Sequence, residues 1–156
     1  MVKKVVRYAL IVLFIGMIVI QFISRPETVA QPLNPQNDMI SLLGVDDEMK
    51  DLLQHNCYDC HSNQPVYPWY SKIAPVSWWT NEHMEHGREE LNFSNWGEYS
   101  KRRKDHKLEE MVEEVEGGAM PLPSYTWIHG KLNNEEKELL KNWVNTERAK
   151  LAGEGN

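Results

Sequence analysis

The chain has two cysteines, and they stand together in the stretch HNCYDCHSN at residues 55–63. Cys57 and Cys60 are separated by two residues, and His61 follows directly. Whatever these thiols hold must organise much of a domain this small, so the spacing constrains the fold more than any other feature. A zinc site takes four ligands, usually two short-spaced Cys/His pairs. Here there is no second cysteine pair, and the six histidines are scattered. A thioredoxin-like redox pair sits where a strand meets a helix in a βαβ unit, and no period-two apolar run is present. A disulfide across two residues closes a loop too small to stabilise much. CYDCH fits the Cys-x-x-Cys-His pattern of covalent haem attachment. Two thiols one helical turn apart each add to a vinyl group on one porphyrin edge, and His61 becomes the proximal iron ligand. The expected cofactor is one haem c with its iron.

Attachment of this kind occurs outside the cytoplasm, and the N-terminus supplies an export element independently. In MVKKVVRYALIVLFIGMIVIQFISR, Lys3, Lys4 and Arg7 precede an apolar run from Tyr8 to Ile23, and Arg25 closes it. A spanning helix takes about 20 residues, and roughly 17 suffice. A cleaved signal has a shorter apolar region followed by a small-x-small site, which TVAQ at residues 28–31 matches poorly. Residues 1–25 therefore read as an uncleaved anchor, with the cleaved signal as the rival reading. The basic residues stay inside, placing the rest of the chain on the periplasmic side of a single-pass inner-membrane protein. Residues 8–156 carry 14 basic and 23 acidic side chains, a net charge of −9. That charge argues against nucleic acid as a partner and for a redox partner with a basic docking face. All six tryptophans lie in the exported part, a payload suited to packing around something flat and apolar.

Three prolines between Pro26 and Gly44 make residues 26–44 a linker. The domain of residues 45–148 is expected to be all-α. Asp46 or Asp47 caps a helix with Val45, Met49, Leu52 and Leu53 on one face, running into Cys57. Pro65, Pro68 and Pro75 forbid a long element in the next stretch. A second helix starts after Pro75 with Ser77 as cap, and NFSNWGEYS is a turn with a short helix capped by Ser94. A third helix, in KDHKLEEMVEEVEGG, has the stripe Leu108, Met111, Val112 and Val115 and stops at Gly117-Gly118. AMPLPSYTWIHGK reads as a loop. The last helix opens at a capping box of Asn133 and Glu136 and buries Leu139, Leu140, Trp143 and Val144. Residues 149–156 form a flexible tail.

Met120 is the candidate for the sixth iron ligand. It stands in GGAMPLPSY, where two glycines permit close approach and Pro121 and Pro123 stiffen the loop. A thioether opposite His61 raises the haem potential; the plainer role for Met120 is to fill a gap beneath the loop. His83 and His86, at i and i+3 of the second helix, are the rivals, and bis-His ligation would lower the potential. Met49 and Met111 lie on helix faces where core packing is the ordinary role. Met39 falls in the linker.

Residues 45–148 resemble the small bacterial haem-binding domain family of cytochrome-c-like proteins. The resemblance is carried by CYDCHSNQPVYPWYSKIAPVSWW, EHMEHGREELNFSNW and MPLPSYTWIH. The attachment motif is shared with every c-type cytochrome, whereas the YPWY…IAPVSW and HGR…LNFS segments are more specific. The resemblance implies a monohaem cytochrome c fold, attachment at Cys57 and Cys60, axial His61 and axial Met120. It brings no defined reaction.

Trp69, Tyr70 and Trp78, with Tyr67 and Trp96, are candidate apolar walls for the porphyrin, or alternatively helix-packing residues. Arg88 is suited to a haem propionate, although Glu85 and Glu89 offer it surface partners. Asn92 and Ser94 read as turn caps. The function expected is electron transfer by a six-coordinate iron rather than catalysis. The alternatives are a gas sensor or a small peroxidase with an open distal site. For the peroxidase, His83 and Arg88 are the nearest pair, and they point to different faces of one helix.

Overall fold

The computed structural model describes residues 2–23 and 30–153. Arg25, the first part of the expected linker, Thr28 and Val29 of TVAQ, and the last three residues of the tail lie outside the described residues. No strand occurs among those described. Helix α1 (Val2–Val19) continues into a 3-10 turn, Ile20–Phe22. Together they form one long apolar helix with a mean hydropathy of 2.3 and no buried residue in its apolar window, consistent with a single membrane span.

The domain begins earlier than its apolar periodicity suggests. Helix α2 (Met39–Leu43) forms inside the stretch read as linker, capped by Asp38, whose Oδ1 accepts from the Ile40 N–H at 3.0 Å, and ended by Gly44 at φ +58°. Met39 is fully buried in the core rather than being a linker residue. Five residues are too few to display a 3.6-residue repeat, so the prolines dominated the reading. Helix α3 (Asp47–Leu53) is capped by Asp46, which accepts from the Met49 N–H at 2.9 Å, and it buries Met49, Leu52 and Leu53. It runs through a π turn (Gln54–Tyr58) into the short α4 (Asp59–His61).

A 3-10 turn (Trp69–Lys72) leads to α5 (Val76–Glu90). Ser77 does not cap it; Pro75 precedes the first turn, where its missing N–H costs nothing, and Ser77 is buried inside. A 3-10 segment (Phe93–Glu98) is capped by Asn92 rather than Ser94, with the Asn92 Oδ1 accepting from the Ser94 N–H at 3.0 Å. Helix α6 (Lys101–Glu116) starts at a Ser100 cap. The stretch read as a loop holds α7 (Pro123–His129), with Pro123 in its first turn. Helix α8 (Asn134–Gly153) opens at the expected capping box. The Asn133 N–H donates to Glu136 at 2.7 Å and the Glu136 N–H to Asn133 at 2.9 Å. It also takes in residues 149–153, which were read as tail. The core is the contact of α8 with α6 and α3, where Leu53, Phe93, Trp96, Leu108, Leu140 and Val144 are essentially solvent-free.

Candidate functional site

The helix from Asp47 to His61 is continuous except for the π turn that contains Cys57. A π turn adds a residue to its cycle and re-aims the side chains that follow, and such turns concentrate at functional sites. Beside it lies a cavity of about 360 Å³ lined by Cys57, His61, Phe93, Met111, Met120 and Leu140, among others. That size suits a cofactor pocket. Residues far apart in sequence, Cys57 and His61 on one side and Met120 of the GGAMPLP loop on the other, thus line one cavity.

His61 is held with one nitrogen committed. Its Nδ1 lies 2.9 Å from the Gly87 carbonyl oxygen and 3.0 Å from that of Leu91. Carbonyls only accept, so Nδ1 carries the proton and Nε2 keeps its lone pair. A metal-ligating histidine is oriented in this way by a backbone carbonyl on its other nitrogen. Burial depresses the His61 pKa, outweighing the two carbonyls, and favours the neutral ring that a metal requires. Helix α5 can come this close because residue 87 is glycine. A Cβ there would stand 3.3 Å from His61 Cε1 and 3.6 Å from the Cys60 carbonyl oxygen.

Behind His61 the chain is fixed by a buried polar network. The Asn63 N–H donates to Ser94 Oγ at 3.1 Å, and Asn92 Nδ2 donates to Asn63 Oδ1 at 2.7 Å. The Asn92 N–H in turn donates to Tyr99 Oη at 2.9 Å. Asn92 and Ser94 therefore cap and clamp this turn.

Both thiols are protonated at neutral pH. Burial, then the charges of Cys60 and Asp59, pushes Cys57 up to about 12. Burial and Asp59 push Cys60 to about 11, against the pull of Arg88. Cys60 does not line the cavity; it lies in electrostatic reach of Tyr70, Tyr125 and Arg88. Arg88 has a buried Nη1 without a hydrogen-bond partner, and the same buried face of α5 carries unpaired Ser77 Oγ and Asn81 Oδ1. Tyr70 is hydrogen bonded to His129 Nε2 at 3.2 Å, and Trp69, 70% exposed, meets its ring edge-on. Trp78 is half-buried on α5. Arg88, Trp69, Tyr70 and Trp78 are thus off the cavity wall, with Arg88 and Tyr70 gathered near Cys60.

The rival histidines are placed elsewhere. His83 is bonded through Nδ1 to the Trp79 carbonyl at 2.9 Å, and neither it nor His86 lines the cavity. His55 and His129 line a separate polar cleft with Asp59 and Tyr125, whose hydroxyl donates to Asp59 Oδ2 at 2.9 Å. Met111 and Lys107 are among the cavity residues that the sequence does not single out as functional. Met111 was read as core, and its place on the α6 stripe, one turn from Val115, was the available signal. Lys107 lines the wall and bonds Glu110 at 2.6 Å and Glu90 at 3.4 Å. Burial works against its ammonium, yet those two carboxylates lift its pKa above the usual lysine value.

A family model described as a haem-binding domain matches residues 15–146. No curated protein and no solved structure gives a significant match.

Proposed function

The chain belongs to the haem-binding domain family, and from that premise we propose that it is a membrane-anchored, monohaem c-type electron carrier with His61 and Met120 as axial ligands. The observation that carries the reading is the state of His61. Its Nδ1 proton is spent on two carbonyls while the ring lines the same cavity as Cys57 and Met120. The donor set suits a haem. Two thiols are available for thioethers, an imidazole for the proximal side, a thioether for the distal side, and an unpaired buried guanidinium nitrogen of Arg88 for a carboxylate.

In this reading Cys57 and Cys60 would hold the haem covalently through two thioether links, and His61 and Met120 would supply its nitrogen and sulfur ligands. The bound group supplies a one-electron couple whose potential follows its axial ligands and their surroundings. The chain's own residues fix that couple. His61 is locked in one tautomer and orientation, Met120 closes the remaining position, and Phe93, Leu140 and Met111 exclude water. Helix α1 confines the carrier to the inner membrane with the domain on the periplasmic side. An iron held by both His61 and Met120 would exchange electrons rather than bind a substrate, so electron transfer rather than catalysis is the role proposed.

The test is the absorption spectrum of the full chain produced with haem-maturation machinery. A pyridine haemochrome of the thioether type, lost in Cys57→Ser/Cys60→Ser, is expected. A weak far-red sulfur-to-iron band in the ferric form should disappear in Met120→Ala and persist in Met111→Leu. A high-spin spectrum with ready carbon monoxide binding would overturn the carrier reading in favour of a sensor or peroxidase.

A further inference from the structure

The apolar run of α1 and its 3-10 turn holds one strongly polar side chain, Gln21, and that side chain is fully used. Its Nε2 donates to the Met17 carbonyl at 3.0 Å and to the Ala74 carbonyl at 2.9 Å, while its Oε1 accepts from the Ala74 N–H at 3.0 Å. The carboxamide thus pairs with both polar groups of residue 74, far along in the domain. At 1.5 Å per residue, the apolar run from Tyr8 to Ile23 is about 24 Å long, close to the roughly 30 Å of a bilayer's hydrocarbon core. Gln21 then lies at the far boundary of that core, and it holds Ala74 at the same level.

The surface around Ala74 is apolar and uncovered. Trp69 is 70% exposed, Ile73 44%, Trp79 42% and Val76 39%, next to Phe22 and Ile23 at the end of the span. Charge agrees. Between Cys60 and Asn81 the sole formally charged side chain is Lys72, a cation, in a domain that is otherwise strongly acidic. Tryptophan with an apolar body and a polar N–H concentrates at the headgroup level, and lysine tolerates anionic lipid.

We propose that the face from Trp69 to Trp79 is a lipid-seating surface. Gln21 clasps the domain to the end of the span, and Trp69, Ile73, Val76 and Trp79 rest in the headgroup–acyl boundary of the same membrane. The domain is thereby held against the bilayer in one orientation. The inference rests on α1 crossing the membrane and is independent of which ligands the iron takes.

The test uses the full chain in phosphatidylcholine nanodiscs, with a nitroxide on Ile73→Cys, Trp79→Cys or Asn145→Cys, the last an exposed site on α8. The unsubstituted protein, carried through the same labelling, is the blank. Collision with oxygen, which enriches in lipid, and with a water-soluble nickel chelate reports the surroundings. Labels at 73 and 79 should show oxygen access above, and nickel access severalfold below, the label at 145. In Gln21→Ala, nickel access at 79 should rise toward the value at 145 while the protein stays in the disc.

Nickel access at 73 and 79 equal to that at 145, in protein retained by the disc, would overturn the seating while leaving the anchor intact. Exclusion of both reagents would overturn it in favour of a covering protein or second copy. Unchanged values in Gln21→Ala would overturn the clasp. Failure to enter the disc would remove the span and the proposal with it.

Discussion

Gly87 and His61 show how one missing methyl group positions a side chain. The His61 ring is wedged against α5 by two carbonyls one turn apart, at Gly87 and Leu91. The glycine matters for space rather than for backbone freedom, because the Cβ it lacks would meet His61 Cε1 at 3.3 Å, tighter than ordinary contact. Either α5 or the imidazole must give way. Overpacking of a close contact costs about 1–3 kcal/mol, and we expect Gly87→Ala to sit at the lower end because the methyl is small. The measurement is thermal unfolding of the holoprotein beside its ferric spectrum. Gly87→Ala should lower the melting temperature and raise the high-spin fraction, as His61 loses its alignment. A melting shift with an unchanged spectrum would separate packing from ligand positioning. The sequence displayed this glycine in EHGRE, but nothing in a linear pattern says which histidine lies under it.

Among the elements, legibility followed length and periodicity. Helix α8 could be read because its capping box is written in Asn133 and Glu136 and its apolar face repeats over several turns. Helix α6 could be read through Leu108, Met111 and Val115. Helices α2 and α7 could not, for each is seven residues or shorter, and the prolines before α2 and in the first turn of α7 resemble those of loops. Pro123 stands in a first turn, where a proline is tolerated as well as in a loop. Of the cavity lining, Cys57, His61 and Met120 stand out in the sequence; that Trp69 and Tyr70 sit off the cavity wall does not. Aromatic character identifies large apolar surface without saying which neighbour covers it. The α6–α8 contact can be tested directly. Leu140 is essentially solvent-free and also lines the cavity, so Leu140→Ala should cost about 2–5 kcal/mol in denaturant unfolding.

The same helix pair carries a pH-dependent tie. Arg148 on α8 donates through Nε to Asp105 Oδ1 at 2.7 Å and pairs with Glu109 at 3.0 Å. The hydrogen bond to Arg148 holds the Asp105 carboxyl below the usual aspartate range. A carboxyl depressed on folding adds stability above its unfolded pKa, and that stability fades as pH falls through the folded value. Melting temperature should therefore decline between about pH 4 and pH 2, and Asp105→Asn should remove part of that slope. The pair is largely exposed, so the effect is small; an identical slope in the variant would show that this tie contributes nothing.

At the scale of the whole molecule, charge and anchoring divide the labour. Residues 8–156 carry a net charge of −9, and Glu90, Glu110 and Glu114 lie on the cavity wall. The stretch that faces lipid in the seating proposal is nearly free of charge, so the acidic field is left to the surface available to soluble partners. A cationic partner is drawn to that surface at a rate that depends on ionic strength, because exposed charges more than about 8 Å apart are screened at physiological salt. In the carrier reading, electron exchange with a basic cytochrome should slow as salt rises, while exchange with a small neutral reagent should not. Glu114→Lys, an exposed change on the cavity rim, should lower the low-salt rate with the basic partner and flatten its salt dependence without altering the spectrum. Stopped-flow traces across an ionic-strength series decide it. If the Glu114→Lys and unsubstituted proteins fall on one line, docking does not use the cavity rim, and the acidic charge serves solubility alone.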